Sequence, residues 1–335
     1  TATTEIYTPS LHDALPILPP EGAPGMIHLD SLHDPAPLRE GILTIGNYDG
    51  FHLGHRAILS RVLEEARLMN SPGIMMTFEP HPSRVLIPSK APPLINTPQQ
   101  KVEFAKDIGL QGLITLPFNR TLSIMEPEAF VSEILVHALA IRGLIVGQNF
   151  RFGHRKRGDL SLLASMGKSC GFFFEAIPPV VMENVPISSS RIRAALQEGR
   201  VEAAGKMLDR PFSMTGTVVR GVRRGRTMGI PTVNLEPENE LWPGDGVYLS
   251  AVRVRGNGKF LPSVSNIGIR PTFEGSARLI ETHILDYFGD LYGEYVELRF
   301  FKYLRGEKRF SDAEALKAQI HEDIVKARSY FEDFV

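Results

Sequence analysis

From Ile42 to about Ala204, short apolar runs alternate with stretches whose apolar residues recur at helical spacing. The runs Ile42–Gly46, Gly73–Phe78, Leu113–Leu116, Leu144–Val146 and Phe172–Ile177 are predicted strands, and Ile27–Leu29 opens a short strand before them. The segments Arg56–Met69, Gln99–Ile108, Pro127–Ala138 and Leu160–Lys168 are predicted helices. Such alternation argues for a parallel sheet covered on both faces. The pattern changes near Asp209-Arg210-Pro211. Beyond it lie strand-like runs at Phe212–Val219, Val247–Val254, Leu279–Phe288 and Tyr295–Leu304, separated by Gly-, Asn- and Asp-rich turns. This part predicts a small antiparallel barrel. A final helix is expected from Ser311 as N-cap, with Glu314 completing a capping box and Leu316, Ile320, Ile324 and Ala327 forming an apolar stripe. The expected domains are residues 26–205 (α/β) and 209–335 (β, ending in the helix).

Residues 1–25 stand apart. They hold five prolines and no Lys or Arg, so they lack the positive start and apolar run of a signal peptide. Met26 looks like a natural start. Ser-Leu-His-Asp occurs at Ser10–Asp13 and again at Ser31–Asp34, by chance or as a joining scar. The leader is expected to be poorly ordered and dispensable.

Composition narrows the classes. The length of 335 residues suits about two domains. The net charge of −1 marks no nucleic-acid partner. The single cysteine, Cys170, excludes an internal disulfide and a Cys-based zinc site, and a reducing cytoplasm fits best. No apolar run approaches the roughly 18 residues of a membrane helix. Small-molecule substrates and a monomer or weak homo-oligomer are expected.

The chemistry concentrates first in Gly46-Asn47-Tyr48-Asp49-Gly50-Phe51-His52-Leu53-Gly54-His55. A strand runs through a Gly-rich turn into a helix whose start carries two histidines three residues apart. Helix N-termini present free N–H groups and partial positive charge, which suits phosphate. Imidazoles at i and i+3 share one face, and Gly54 allows close approach to the backbone. The pattern points to nucleotidyl transfer; the bland alternative is a pair of exposed cap histidines.

Three more stretches fit phosphate. In Glu79-Pro80-His81-Pro82 two prolines fix the histidine, or simply make a rigid turn. Gly147 to Asp159 follows another strand and packs four cations and His154 within seven residues, with Asn149 at its start. It reads as a loop that screens triphosphate charge, with a solvated basic loop or a nucleic-acid patch as the alternatives. Ser188-Ser189-Ser190-Arg191-Ile192-Arg193 caps a helix, where hydroxyls, N–H groups and Arg193 can hold phosphate oxygens.

The second half has its own candidate. Gly216, Gly221, Gly225 and Gly229 punctuate a basic loop that ends in Pro231-Thr232-Val233-Asn234. Glycines let backbone N–H groups wrap a phosphate. Thr232 and Asn234 share one side of a strand and offer oxygens suited to Mg²⁺. Glu281, on the strand face it shares with Leu279, His283 and Leu285, can take a proton from a hydroxyl. Ordinary barrel residues would look the same one motif at a time.

Together these motifs resemble the bacterial bifunctional riboflavin kinase/FMN adenylyltransferase family, also called FAD synthetase. Gly46–His55 is similar to its Gly-x-Phe-Asp-Gly-x-His-x-Gly-His, with Tyr48 for Phe. Ser188–Arg193 resembles Ser-Ser-Thr-x-Ile-Arg. Pro231–Asn234 resembles Pro-Thr-Ala-Asn, with Val233 for Ala. The resemblance runs from Met26 to the C-terminus. It implies a Rossmann-like nucleotidyltransferase domain followed by a barrel kinase domain. It also implies ATP, riboflavin, FMN and FAD as substrates or products, and Mg²⁺. In the implied assignment, His52, His55 and Arg193 serve adenylyl transfer and Glu281 is the kinase base. Gly46, Asp49, Gly54, Asn149, Ser189, Gly221, Gly225, Gly229, Thr232 and Asn234 bind nucleotide or flavin, the last two also holding the metal. The rival readings are a chain with one of the two activities and a flavin-binding regulator without turnover.

Overall fold

A computed structural model describes residues 25–220, 229–254, 258–272 and 275–332. The chain divides into two compact units. One comprises residues up to Pro92 together with Pro98–Pro186; the other comprises Pro93–Thr97 and Ile187 onward.

The first unit is a six-stranded parallel sheet: β1 (Ile27–Leu29), β2 (Ile42–Ile45), β3 (Gly73–Glu79), β4 (Gly112–Pro117), β5 (Gly143–Gly147) and β6 (Phe173–Ile177), in the order β1-β4-β3-β2-β5-β6. The central strands read as largely apolar runs, broken only by single threonines before their ends, because both faces are covered. Leu43, Ile45, Ile74, Met76, Leu144 and Val146 bury one face against Phe130, Val131, Leu135 and Leu139. Their alternates Ile42, Met75, Leu113 and Ile145 bury the other face. Leu59, Val62, Leu63 and Ala66 of helix α1 (Leu53–Leu68) cover it, as does Ala105 of α3 (Pro98–Asp107). Between these two helices lies the short α2 (Pro82–Leu86); α4 (Arg120–Ser123) and α5 (Pro127–Ala129) follow. α5 runs directly into a π-helical stretch, Phe130–Ala138, and α6 (Leu160–Cys170) precedes β6. A two-stranded hairpin, β7 (Val181–Met182) and β8 (Val185–Pro186), ends the unit.

The second unit carries α7 (Ser189–Gln197), α8 (Val201–Leu208) and a closed antiparallel barrel. Its strands are β9 (Phe212–Val219), β10 (Val233–Pro237), β11 (Gly246–Val254), β12 (Leu261–Thr272), β13 (Gly275–Ile284) and β14 (Tyr295–Arg305), closing in the order β10-β13-β12-β11-β14-β9. The predicted run to Phe288 stops at Ile284, because Asp286 turns the chain in the left-handed region at φ 55°. β12 had no counterpart among the predicted strands: Pro262, Gly268 and Pro271 interrupt its apolar pattern. Helix α9 (Ala313–Glu332) packs Ala327, Ile324 and Tyr330 on Val247, Leu249, Val264 and Leu285. Its cap is Asp312 rather than Ser311: Asp312 Oδ1 accepts the Ala315 N–H at 2.8 Å, while the Ser311 hydroxyl donates to Asp312. A carboxylate accepts that N–H and favours the positive helix end, so Glu314 falls one position short of a capping box.

Candidate functional sites

In the parallel sheet, β2 leads on to β3 on one side, while β5 pairs with β2 on the other. This is the switch point where open α/β sheets bind ligands, at the carboxyl ends of the strands. β2 and β5 pair only at Ile42–Gly143 and Leu43–Leu144, whereas β5 stays paired with β6 as far as Gly147–Ile177. The sheet therefore splits between β2 and β5 toward those carboxyl ends. The turn after β2 and the basic loop after β5 both spring from the split.

The turn after β2 is held in an unusual shape. Tyr48, Gly50 and Phe51 all take left-handed backbone, at φ 47°, 99° and 46°. A bulky residue there is strained and persists only when its surroundings enforce it. The Tyr48 hydroxyl pairs with Thr44 Oγ1 at 2.5 Å, and its ring lies 5.0 Å from that of His55. Phe51 packs 5.4 Å from Phe104. The Thr77 hydroxyl donates to Asn47 O at 3.2 Å, and Lys101 Nζ donates to the same oxygen at 3.0 Å. A Cβ at Gly46 would meet the Tyr48 ring at 3.0 Å, so a larger residue there would press on that ring.

This turn sets the two histidines. His52 is the N-cap of α1, its Nδ1 accepting the His55 N–H at 3.3 Å. An imidazole that accepts at Nδ1 carries its proton on Nε2, so His52 is a neutral N–H donor there. The rings stack at 3.7 Å with 16° between planes. Two imidazolium charges at that spacing would repel. Asp49 is buried at 4% exposure, and Gly54 lies in the first turn of α1.

Asn149 is exposed in a turn closed by Phe150 N–H to Gly147 O at 2.9 Å. In the loop beyond it, Arg157 and His154 bond Glu126, and Arg151 lies 3.5 Å from Asp159, the N-cap of α6. Arg155 and Lys156 are exposed in consecutive left-handed positions at φ 51° and 58°. His81 caps α2, its Nδ1 bonded to the Ser83 side chain at 2.7 Å.

Ser189 and Arg193 lie on α7, in the second unit. Ser188 is the cap, accepting from Arg191 N–H at 3.3 Å, and Ser189 is the first helical residue. Arg193 Nε donates to Pro93 O at 3.0 Å. The structure brings His52 and His55 into contact and sets the Asn149 loop on the neighbouring strand; Ser189 and Arg193 belong with the barrel.

In the barrel, Gly221 and Gly225 lie outside the described residues, and Gly229 takes φ 76°. Thr232 immediately precedes β10. Glu281 sits opposite Asn234 on one side and Asn266 on the other, so the three form a row on one face. Ile280, Thr282 and Ile284 alternate with that row and are buried in the barrel. His283 Nδ1 bonds Pro231 O at 2.8 Å, holding the segment before Thr232 against β13. Thr232 and Asn234 present hard oxygens, the donor chemistry Mg²⁺ prefers. Sequence reasoning missed Asn266, hidden in the unrecognised β12. It also missed Lys101, whose one signal was a lysine beside buried Gln100 and a turn from buried Ala105.

A family model described as FAD synthetase matches residues 34–191, and one described as riboflavin kinase matches residues 208–331. The bifunctional riboflavin kinase/FMN adenylyltransferase of Escherichia coli (strain K12) is 39% identical over 297 residues, covering 88% of this chain and 94% of that protein. The chain belongs to the bifunctional riboflavin kinase/FMN adenylyltransferase family. The Pseudomonas fluorescens member is 37% identical over 300 residues, covering 89% of this chain and 96% of its own. A solved structure titled as a macrolide-efflux protein from Streptococcus pneumoniae shares the architecture at a TM-score of 0.82 and 28% identity, covering 90% of this chain and 98% of its own. No helix among the described residues is long and apolar enough to cross a membrane. The two matched regions place the His52/His55 turn in the FAD synthetase part and Glu281 in the riboflavin kinase part.

Proposed function

We propose that this chain phosphorylates riboflavin to FMN with ATP and then adenylylates FMN to FAD with a second ATP, releasing pyrophosphate. The stacked His52 and His55 at the start of α1, beside the split in the sheet, carry the reading.

For adenylyl transfer, a phosphate oxygen of FMN attacks the α-phosphorus of ATP, and the bond from that phosphorus to the pyrophosphate oxygen breaks. The FMN phosphate is itself the nucleophile, so catalysis is alignment plus stabilisation of charge. His52 offers an N–H and His55 the neighbouring ring, over the N–H groups of the first turn of α1. Asn149, Arg155 and Lys156, exposed on the loop after β5, would meet the outgoing phosphates. For Ser189 and Arg193 of α7, a phosphate-binding role rests on the likeness of Ser188–Arg193 to the family motif.

For phosphorylation, the riboflavin 5′-hydroxyl attacks the γ-phosphorus, its proton passes to Glu281, and ADP leaves. Thr232 and Asn234 would hold Mg²⁺, which neutralises phosphate charge when bound. Gly221, Gly225 and Gly229 belong to the loop that would wrap the phosphates. We assign the first reaction to residues 26–205 and the second to 209–335. The lone Cys170 agrees with a cytoplasmic setting.

The test is chromatography of flavins after incubation with riboflavin, ATP and Mg²⁺. Wild-type protein is expected to give FMN and then FAD. His55→Ala should lower FAD formation at least tenfold, about 1.4 kcal/mol, and leave FMN formation intact. Glu281→Ala should abolish FMN formation while FAD still forms from supplied FMN. Equal loss of both activities in either variant would refute two separate sites, and bound flavin without turnover would favour a carrier.

A further inference from the structure

Lys101 is a cation that the proposed chemistry leaves without a task. It projects from α3, which otherwise lends apolar cover to the sheet. Its ammonium donates to Asn47 O at 3.0 Å and to Thr77 Oγ1 at 3.2 Å, and the Thr77 hydroxyl itself donates to Asn47 O. One amine thus ties together the turn after β2, the end of β3 and helix α3. The charges of two carboxylates act on it, Asp49 of the same turn and Glu79 at the end of β3. Burial disfavours the ammonium and pulls it below its usual 10.5, while those carboxylates oppose the shift.

The place of this contact matters more than its strength. Asn47 follows Gly46 directly, and the left-handed Tyr48, Gly50 and Phe51 come next, leading to the His52 cap. A turn with two sterically disfavoured residues, Tyr48 and Phe51, needs external bonds to keep one shape. Asp49 is nearly buried, so an unbalanced negative charge there would oppose any polyanion brought to the start of α1. The ammonium meets both needs, because it bonds the turn and offsets the charge of those two carboxylates. A methionine of similar length would fill the space and meet neither.

We infer that Lys101 is a positioning residue for adenylyl transfer: by pinning the Asn47 carbonyl and offsetting Asp49 and Glu79, it holds the His52/His55 turn in its working shape for a nucleoside triphosphate. This rests on the proposed adenylyltransferase reading. Lys101 touches no reacting atom and acts through the turn.

The experiment compares full-length wild type, Lys101→Met, Lys101→Gln and Lys101→Arg. Initial rates are followed for FAD formation from FMN and for FMN formation from riboflavin, across pH. Lys101→Met and Lys101→Gln should lower kcat for FAD formation at least tenfold, with FMN formation within twofold of wild type. Lys101→Arg should recover a substantial part of that loss. Its alkaline limb should move to higher pH than that of wild type, since arginine keeps its proton where lysine loses it. Retention of wild-type kcat for FAD in both Lys101→Met and Lys101→Gln would overturn the inference. So would parallel loss of both activities, which marks a merely structural lysine. Wild-type protein that makes no FAD would instead overturn the reading of the site, and this inference with it.

Discussion

Asp323→Ala should cost the barrel unit about 3–5 kcal/mol, the usual result of removing one partner from a buried ion pair. Arg305 at the end of β14 grips Asp323 of α9 through Nε at 3.2 Å and 3.0 Å and through Nη2 at 2.7 Å. The side chains are 14% and 2% exposed, so neither charge regains water easily when the other is removed. After truncation the guanidinium keeps the Gly306 carbonyl at 3.2 Å and the Phe310 ring at 6.0 Å, neither of which supplies negative charge. The upper part of the range therefore applies. Asp323→Asn retains one acceptor oxygen and should cost less than half as much. The double change Arg305→Met with Asp323→Leu removes both charges together and should recover most of the loss. Trp242 is the one tryptophan of the chain and lies in the second unit, so its fluorescence during urea unfolding reports this unit selectively. A loss below about 1 kcal/mol for Asp323→Ala would refute the argument. It would mean that the guanidinium swings into water and that the pair holds α9 no better than a surface bridge.

Two further predictions concern groups away from the reacting atoms. Tyr48→Phe deletes the partner of the fully buried Thr44 hydroxyl and should destabilise the first unit by about 1–3 kcal/mol, with FAD formation kept because the ring against His55 remains. Circular dichroism in urea measures this, and adding Thr44→Val should restore stability; no loss in the single variant would contradict the pairing. Asp286, gripped by Arg328 at 2.7 Å through both oxygens, should titrate below 3.8 because that hydrogen-bonded cation favours its charged form. The pair's contribution is then present above the unfolded value and lost as pH falls through the lower folded value. Carbon-13 NMR titration should show the depression vanish in Arg328→Gln, and an ordinary value in wild type would refute it.

How far the sequence revealed this molecule depended on the range of each interaction. The β2–turn–α1 passage was legible because an apolar run, a Gly-rich turn and an amphipathic helix lie within thirty positions or so. The barrel was recognisable from four of its strands, and β12 was hidden because neighbours on either side satisfy a strand whose composition argues against it. The helix cap slipped by one residue because adjacent Ser311 and Asp312 offer similar oxygens. His52 and His55 could be paired from their spacing, yet their stacking and the role of His52 as cap depend on the left-handed turn before them, which spacing does not encode. The Lys101–Asn47 bond spans 54 positions and the Arg193–Pro93 bond 100, and no local pattern encodes either.

The five residues Pro93–Thr97 belong to the second unit although they lie in the sequence of the first. Leu94, Ile95, Asn96 and Thr97 are all buried. Leu94 N–H bonds Glu240 Oε2 at 3.0 Å, Asn239 Nδ2 donates to Ile95 O at 3.3 Å, and Leu241 N–H bonds Leu94 O at 3.3 Å. During synthesis this strap leaves the ribosome 146 residues ahead of Glu240. At 5–20 residues per second it waits roughly 7–30 s for its partners, with apolar side chains open to water or to a chaperone. A gene cut between the two halves would make that wait permanent. Separately expressed first halves that keep Pro93–Thr97 should aggregate more than those in which Leu94 and Ile95 are made polar.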